Sequence, residues 1–136
     1  MSTLTVATIK SLSGSPTVFQ KNNGTEIGQL AMAWVNINGD SSTDGEFAIR
    51  DSFNISSVED TATGVYTVNI NTDMADTNYV VVVTVEAGTD NDQTSEGGLL
   101  FQNSTKTAGS FKIRTGDTET NNNDDYGGVN AVVFGD

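Results

Sequence analysis

The residues best suited to chemistry in this sequence are carboxylates, because histidine and cysteine are both absent. Their absence excludes a Ser-His-Asp or Cys-His nucleophile system, the common Cys/His zinc sites, iron–sulfur ligation by cysteine and an imidazole switch near neutral pH. Oxygen-rich side chains gather in three segments, at 40–46, 90–92 and 121–125. Any reaction or ligand site must therefore use carboxylates, amides and hydroxyls.

The first of these segments runs from Asp40 to Glu46 and places three carboxylates and a glycine in one turn. Hard oxygen ligands suit calcium, but the spacing does not match the D-x-[DN]-x-[DN]-G loop of known calcium sites. A solvated hairpin turn explains the same composition. We therefore predict no metal site and no cofactor, and leave calcium binding by the acidic loops as an alternative.

Paired carboxylates can hydrolyse a glycosidic bond when they stand about 5–10 Å apart across a cleft that holds the sugar. A chain of 136 residues leaves little length to build such a cleft beyond its core. We therefore predict that the protein is not an enzyme.

Two of the oxygen-rich segments are better suited to binding than to catalysis. Loops of this composition could converge on a sugar, and an aromatic ring beside them could stack on it. An ordinary polar loop is the alternative interpretation. The predicted ligand-binding residues are Asp90, Asn91, Asp92, Asn122, Asn123, Asp124 and Tyr126.

The charge balance limits the partners. Six Lys and Arg residues against eighteen Asp and Glu residues give a formal net charge of -12. A chain of this charge is unsuited to bind a phosphate backbone, so no nucleic acid is predicted as a partner.

The longest apolar run, Tyr79 to Val85, is far shorter than the roughly 20 residues that span a bilayer, so we expect a soluble protein without membrane insertion. Residues 1–6 show no secretory signal, and we expect synthesis in a cytoplasm.

Apolar and polar residues alternate with period two along much of the chain, which is typical of strands. In the segment 31–37, Ala33, Val35 and Ile37 share one face and Met32 and Trp34 the other. The further predicted strands are 46–50, 53–58, 65–71, 78–86, 98–102, 110–114 and 129–134. No helix of normal length is predicted, and the fold class is all-β, an antiparallel β-sandwich or jelly-roll-like domain over residues 17–136.

The first sixteen residues are predicted to form an extended N-terminal arm. A short leading strand, Leu4 to Ile9, is joined to the rest by a Ser- and Gly-containing stretch that ends at Pro16. The arm has too few apolar residues to fold alone, so it must pack on the main domain, on a sister subunit or on another protein. A frayed first strand is the alternative.

The segment Tyr79–Val85 is apolar on both faces, which favours a central strand covered on both sides or a subunit interface. Trp34 and Met32 lie opposite the inward stripe of their own strand and offer a second apolar face. A further buried core under loops is the alternative. The predicted oligomer-interface residues are Met32, Trp34, Tyr79, Val81 and Val83.

Several ordered motifs resemble a known family. The stretches are Gly28-Gln-Leu-Ala-Met-Ala-Trp-Val-Asn-Ile-Asn-Gly39, Phe47-Ala-Ile-Arg-Asp-Ser-Phe-Asn-Ile-Ser-Ser57, Tyr66-Thr-Val-Asn-Ile70 and Met74-Ala-Asp-Thr-Asn-Tyr79. In type and order they resemble tail-fibre-like proteins of tailed phages, particularly cyanophages, whose first motif reads AWVNF-N-G. The residues 4–10 and 132–135 resemble the start and the end of that family. Ile37 and Ile70 stand where the family tends to carry Phe.

The resemblance implies a homotrimeric virion component, placed in the tail fibre and used for attachment to the host cell. It implies three kinds of partner: further copies of the chain, other tail or fibre proteins held through the N-terminal arm, and a glycan or protein on the host surface. Two alternatives stay open. One is a structural adaptor or decoration protein that never touches the receptor, and the other is a monomeric carbohydrate-binding module.

Overall fold

A computed structural model describes residues 18–20, 23–39, 48–86, 96–100, 106–117 and 120–135. Ten strands occur in these residues, and no helix does. The strands are β1 (Val18–Gln20), β2 (Glu26–Gln29), β3 (Ala33–Asn38), β4 (Ala48–Phe53), β5 (Ile55–Ala62), β6 (Val65–Ile70), β7 (Val80–Glu86), β8 (Glu96–Leu100), β9 (Ser110–Asp117) and β10 (Gly128–Phe134). The predicted arm, residues 1–16, lies outside the described residues.

The strands form two four-stranded sheets and one hairpin. The first sheet has the order β4-β3-β10-β7, the second has the order β5-β6-β9-β8, and β1 pairs with β2. Every pairing between these strands is antiparallel. The predicted all-β, antiparallel class is confirmed, and the arrangement is β-sandwich-like.

The core lies between the two four-stranded sheets. From β3 it receives the predicted inward residues Ala33, Val35 and Ile37, each at most 2% exposed. In the second sheet, Val68 of β6 stands opposite Phe111 of β9 in register, and both are fully buried. The same cluster contains the inward residues of β6, β9 and β10, which are Tyr66, Ile70, Ile113, Val129, Ala131 and Val133. Alternation along each strand thus supplies one buried face per sheet.

β7 is an edge strand, and its predicted position at the centre of a sheet is wrong. The last strand, β10, pairs with β3 on one side and β7 on the other, which leaves β7 outermost in the order of the first sheet. Val81 is 8% exposed, whereas the adjacent Val80 is 59% exposed. Within one copy of the chain, only one of the two apolar faces of β7 is therefore buried, and the alternative of a subunit interface stays open.

The chain crosses from the first sheet to the second at Asn54, between β4 and β5. Asn54 has a positive φ of 57°, a conformation that asparagine tolerates better than most residues. Its side-chain amide donates to the Met32 and Thr72 carbonyl oxygens, and its Oδ1 accepts the Thr72 N–H at 2.8 Å. The two strands predicted at 46–50 and 53–58 are present, but the boundary between them lies at Asn54, since β4 ends at Phe53 and β5 begins at Ile55.

The short hairpin of β1 and β2 was not predicted, because strands of three and four residues show too little alternation. It is tied to the end of the first sheet by Gln29, whose Nε2 donates to the Gly135 carbonyl oxygen at 2.7 Å. Within the described residues, no helix is long and apolar enough to cross a membrane.

Candidate functional site

A row of apolar side chains crosses the outer face of the first sheet. In register, Val82 of β7 stands opposite Val132 of β10, and Val132 stands opposite Trp34 of β3. Trp34 in turn stands opposite Phe53 of β4. Because each of these residues alternates with an inward neighbour, the four side chains share the outer face. One continuous row thus spans all four strands.

A second pair extends this row, since Val80 stands opposite Phe134 between β7 and β10. The exposed fractions are 54% for Phe53, 59% for Val80, 49% for Val82 and 37% for Phe134, while Trp34 and Val132 are half-buried. We call these six residues the apolar stripe. Exposed large apolar groups in adjacent positions are typical of interaction surfaces.

A polar row borders the apolar stripe on the same face. Asn36 Nδ2 donates to Asn130 Oδ1 at 2.6 Å, and Asn130 Nδ2 donates to Glu86 Oε1 at 3.2 Å. Arg50 Nη1 lies 3.8 Å from Glu86 Oε2, and both side chains are about half exposed. Charges of both signs therefore stand beside the uncharged stripe.

The outer face of the second sheet is polar where its side chains are described, across β5, β6 and β9. Thr67 stands opposite Glu59 and Lys112 in register, and Asn69 stands opposite Ser57 and Ser110. The side-chain amide of Asn69 donates to Ser57 Oγ and Glu59 Oε1. Polar side chains of this kind suit contact with solvent. Among the described residues, the apolar stripe therefore lies on the outer face of the first sheet alone.

The predicted interface residues divide between the inner and outer faces. Trp34 lies on the outer face, as its alternation predicts, and Met32 is half-buried against the core. Tyr79 and Val81 are 2% and 8% exposed, and Val83 packs against the core. Val81 and Val83 thus lie on the inward face of β7 and Tyr79 is buried just before it, while Val80 and Val82 lie on the outer face of the strand. Because valine fills both faces of β7, alternation cannot tell which is inward.

The predicted binding loop before β10 is held to the end of the sandwich by Asp125. Its Oδ1 accepts hydrogen bonds from the Tyr66 hydroxyl at 2.7 Å and from the Gly64 N–H at 2.6 Å. In the same loop, the Thr115 hydroxyl donates to the Asp124 carbonyl oxygen at 2.6 Å. Burial first, and the bond to Asp125 second, raise the pKa of Tyr66 well above its ordinary value. The loop is therefore a fixed part of the sandwich.

The outward side of this loop carries three of the predicted receptor-binding residues. Asn122, Asn123 and Asp124 are all exposed, and Asn123 Oδ1 accepts a hydrogen bond from Arg114 Nε. Arg114 also donates to the Asn121 carbonyl oxygen at 2.6 Å. These three predicted residues thus form one accessible group. The other predicted segment, Asp90, Asn91 and Asp92, lies outside the described residues.

Tyr126 is not placed as predicted for a stacking residue. It is 5% exposed and belongs to the hydrophobic core, and its carbonyl oxygen accepts the Gly39 N–H at 3.0 Å. A ring packed in the core has no open face for a sugar, so the structure does not favour Tyr126 as a ligand contact.

A shallow depression lies at the start of β7, around Tyr79 and Lys106. The Lys106 ammonium stands 4.6 Å from the centre of the Tyr79 ring and donates to the Tyr79 carbonyl oxygen at 2.8 Å. The Tyr79 hydroxyl lies 2.8 Å from the Thr107 carbonyl oxygen and 2.9 Å from that of Ser110, and burial raises the pKa of Tyr79 to about 12. These polar groups hold neighbouring segments together and offer no reactive pair.

Within the described residues, no group of three acidic side chains is arranged to hold a metal ion. The segment considered for calcium, 40–46, lies outside the described residues, so that alternative stays open.

No protein-family model matches the chain, and searches of curated proteins and of solved structures find no significant match.

Proposed function

We propose that the chain is a homotrimeric tail-fibre protein of a phage virion that attaches the particle to the host cell. Exposed loops of the β-sandwich-like domain would contact the receptor. The observation that carries the proposal is the pairing of Trp34 with Phe53 on an exposed face. These aromatic residues belong to the first and second of the motifs that resemble tail-fibre-like proteins, and their pairing supports a shared role in assembly.

Receptor contact is assigned to the loop that contains Asn122, Asn123 and Asp124. The three side chains are exposed, while the backbone behind them is fixed by Asp125 and Thr115. A polar loop on a rigid β scaffold suits recognition, because little conformational freedom is lost on binding. The ligand chemistry that fits amides and a carboxylate is a host-surface glycan or a polar protein surface.

The remaining parts of the proposal follow from composition and from the family resemblance. The N-terminal arm, residues 1–16, would dock onto other tail or fibre proteins in the virion. With a net charge of -12 and no histidine or cysteine, the chain is proposed to act without nucleic acid, membrane insertion, cofactor or catalysis.

A structural adaptor or decoration protein is the second candidate. The apolar stripe favours it as well, since an exposed apolar face fits contact with another protein whether or not a receptor is bound. The two candidates differ in whether the isolated protein binds host cells.

The test uses the purified full chain in two steps. Light scattering after size exclusion should give three times the 14.3 kDa mass of one chain. The fluorescently labelled protein should then bind cells of at least one strain in a panel of cyanobacteria. A trimer that binds no strain would favour the adaptor, and a monomer that binds cells would favour the carbohydrate-binding module.

A matched pair of variants tests the loop. The triple variant Asn122→Ala, Asn123→Ala, Asp124→Ala should lose at least about tenfold in cell affinity, as expected when central polar contacts are removed. The control variant Asn71→Ala, Asp73→Ala, Thr77→Ala changes three other exposed residues and has the same effect on net charge. Equal binding by the two variants would contradict the assignment of receptor contact to this loop.

A further inference from the structure

We infer that the apolar stripe is the surface through which copies of this chain associate. The inference rests on the proposed homotrimer and adds the face on which it is built: Val82, Val132, Trp34 and Phe53 across the sheet, with Val80 and Phe134 beside them. The occupant of the stripe is thus the same stripe on neighbouring copies.

The apolar stripe leaves large apolar side chains in contact with water. Half-exposed phenylalanine rings each leave about 100 Å² in water. Phe53 and Phe134 are 54% and 37% exposed, and Val80 and Val82 are 59% and 49% exposed. Contiguous exposed apolar patches of roughly 300–600 Å² are the largest that monomers commonly carry, and such patches often serve a function.

The net charge of the chain limits which surfaces of two copies can meet. Each copy carries a net charge of -12, so two copies repel wherever acidic surfaces meet. The apolar stripe contains no charged residue, and it is therefore the part of this face that can approach another copy without bringing like charges together. Contact through the polar outer face of the second sheet would instead bury the hydrogen-bonded groups of Ser57, Glu59 and Asn69.

The border of the apolar stripe carries charges of both signs. Arg50 and Glu86 lie on the same face, 3.8 Å apart and about half exposed. A face that presents both signs is complementary to a symmetry-related copy of itself, because the cation of one copy can meet the anion of the next. This property selects a second copy over a partner of strongly biased charge.

The area of the sheet face favours a closed ring of copies over a single pair. Four strands of six or seven residues project an area of roughly 400 Å². A stable interface buries about 800 Å² on each partner, so one flat face against another is too small. In a ring of three, each copy contacts two neighbours, and the flanks of the sheet become buried together with the stripe.

The sequence provides its own reporter for the test. Trp34 is the single tryptophan of the chain and lies in the middle of the stripe. Association should shift its fluorescence emission to shorter wavelength and protect it from quenching by acrylamide, because the indole loses contact with water. Both signals should depend on protein concentration in parallel with the mass.

The decisive variant is Val82→Lys, with Phe53→Lys as a second variant at the other end of the row. Burying an unpaired charge should raise the dissociation constant of the assembly at least about a hundredfold in each case. The control is Thr67→Lys, at the centre of the other sheet's outer face, and it should keep the wild-type mass and emission. Circular dichroism and cooperative thermal unfolding establish that each variant is folded.

The outcomes separate the inference from the proposed function. A trimer that survives both stripe variants would overturn the inference and leave the homotrimer intact. A wild-type dimer that Val82→Lys dissociates would support the stripe and contradict the homotrimer. A wild-type chain that stays monomeric at all concentrations would overturn both, while receptor binding by the loop would still be decided by the cell assay.

Discussion

The hydroxyl of Tyr66 donates a 2.7 Å hydrogen bond to Oδ1 of Asp125, a residue 59 positions further along the chain. The same oxygen accepts the N–H of Gly64 at 2.6 Å. One half-buried carboxylate thus joins the start of β6 to the loop before the last strand. The exposed residues proposed for receptor contact depend on this junction for their position.

Replacing Asp125 should loosen that junction. Asp125→Ala removes the carboxylate oxygen that accepts hydrogen bonds from the Tyr66 hydroxyl and the Gly64 N–H, and should lower the free energy of unfolding by about 2–3 kcal/mol. Asp125→Asn keeps one acceptor oxygen and should cost less. Urea denaturation measures both. Asp73→Ala, at an exposed position beyond the other end of β6, serves as the control, and an equal effect of the two alanine variants would contradict the role of Asp125.

Alkaline pH should destabilise the protein through two of its three tyrosines. Burial, together with the bond to Asp125, raises the pKa of Tyr66, and burial raises that of Tyr79 to about 12. In the unfolded chain a tyrosine ionises near pH 10. Above that pH the folded state therefore holds more protons, so its stability is complete below about pH 10 and declines as the pH rises toward 12 and beyond.

The measurement is the near-ultraviolet absorbance of tyrosinate during a pH titration, in native buffer and in urea. Tyr66 and Tyr79 should resist ionisation near pH 10 only in the folded state. The variant Tyr66→Phe assigns one of the two late steps. Ionisation of all three tyrosines near pH 10 in the native protein would contradict the prediction.

Much of the architecture could be predicted from local alternation. The inward set of Ala33, Val35 and Ile37 and the outward position of Trp34 follow from period two alone, and the structure confirms both. The position of β7 could not be predicted, because Val80 and Val81 are chemically identical and only the pairing with β10 distinguishes their faces. Alternation of apolar and polar residues identifies a strand, but it does not determine which strands lie beside it in the sheet.

The candidate site required contacts between residues far apart in sequence. The apolar stripe brings Phe53, Val82 and Val132 into one row through pairings that join β4, β3, β10 and β7. Nothing local to these residues indicates that arrangement. Tyr126 illustrates the converse, since a polar sequence neighbourhood suggested exposure while its ring lies in the core. The aromatic ring of Tyr126 has a large apolar area, and its burial is favourable even though the residues beside it in sequence are polar.

Gly64 occupies a position that tolerates no side chain. Its φ is +61°, and a Cβ there would lie 2.4 Å from the Thr115 carbonyl oxygen and 2.7 Å from that of Asp124. Gly64→Ala should therefore lower the free energy of unfolding by at least about 2 kcal/mol, from backbone strain and steric overlap together. The matched control is Gly127→Ala, where a Cβ has no atom within 4 Å. Thermal unfolding compares the two, and a comparable shift in Tm for both would refute the steric account.

Asn36 and Asn130 should behave as a coupled pair at the centre of the first sheet. Asn36 Nδ2 donates to Asn130 Oδ1, while Asn36 Oδ1 is buried and has no hydrogen-bond partner among the described residues. Asn130→Val leaves the whole Asn36 amide unpaired and should cost about 1–3 kcal/mol of stability. Adding Asn36→Val removes the unpaired groups and introduces a residue that strands favour, so the double variant should recover at least about 1 kcal/mol. Urea denaturation of the wild type, both single variants and the double variant gives the coupling energy, and strictly additive effects would show that the two amides act independently.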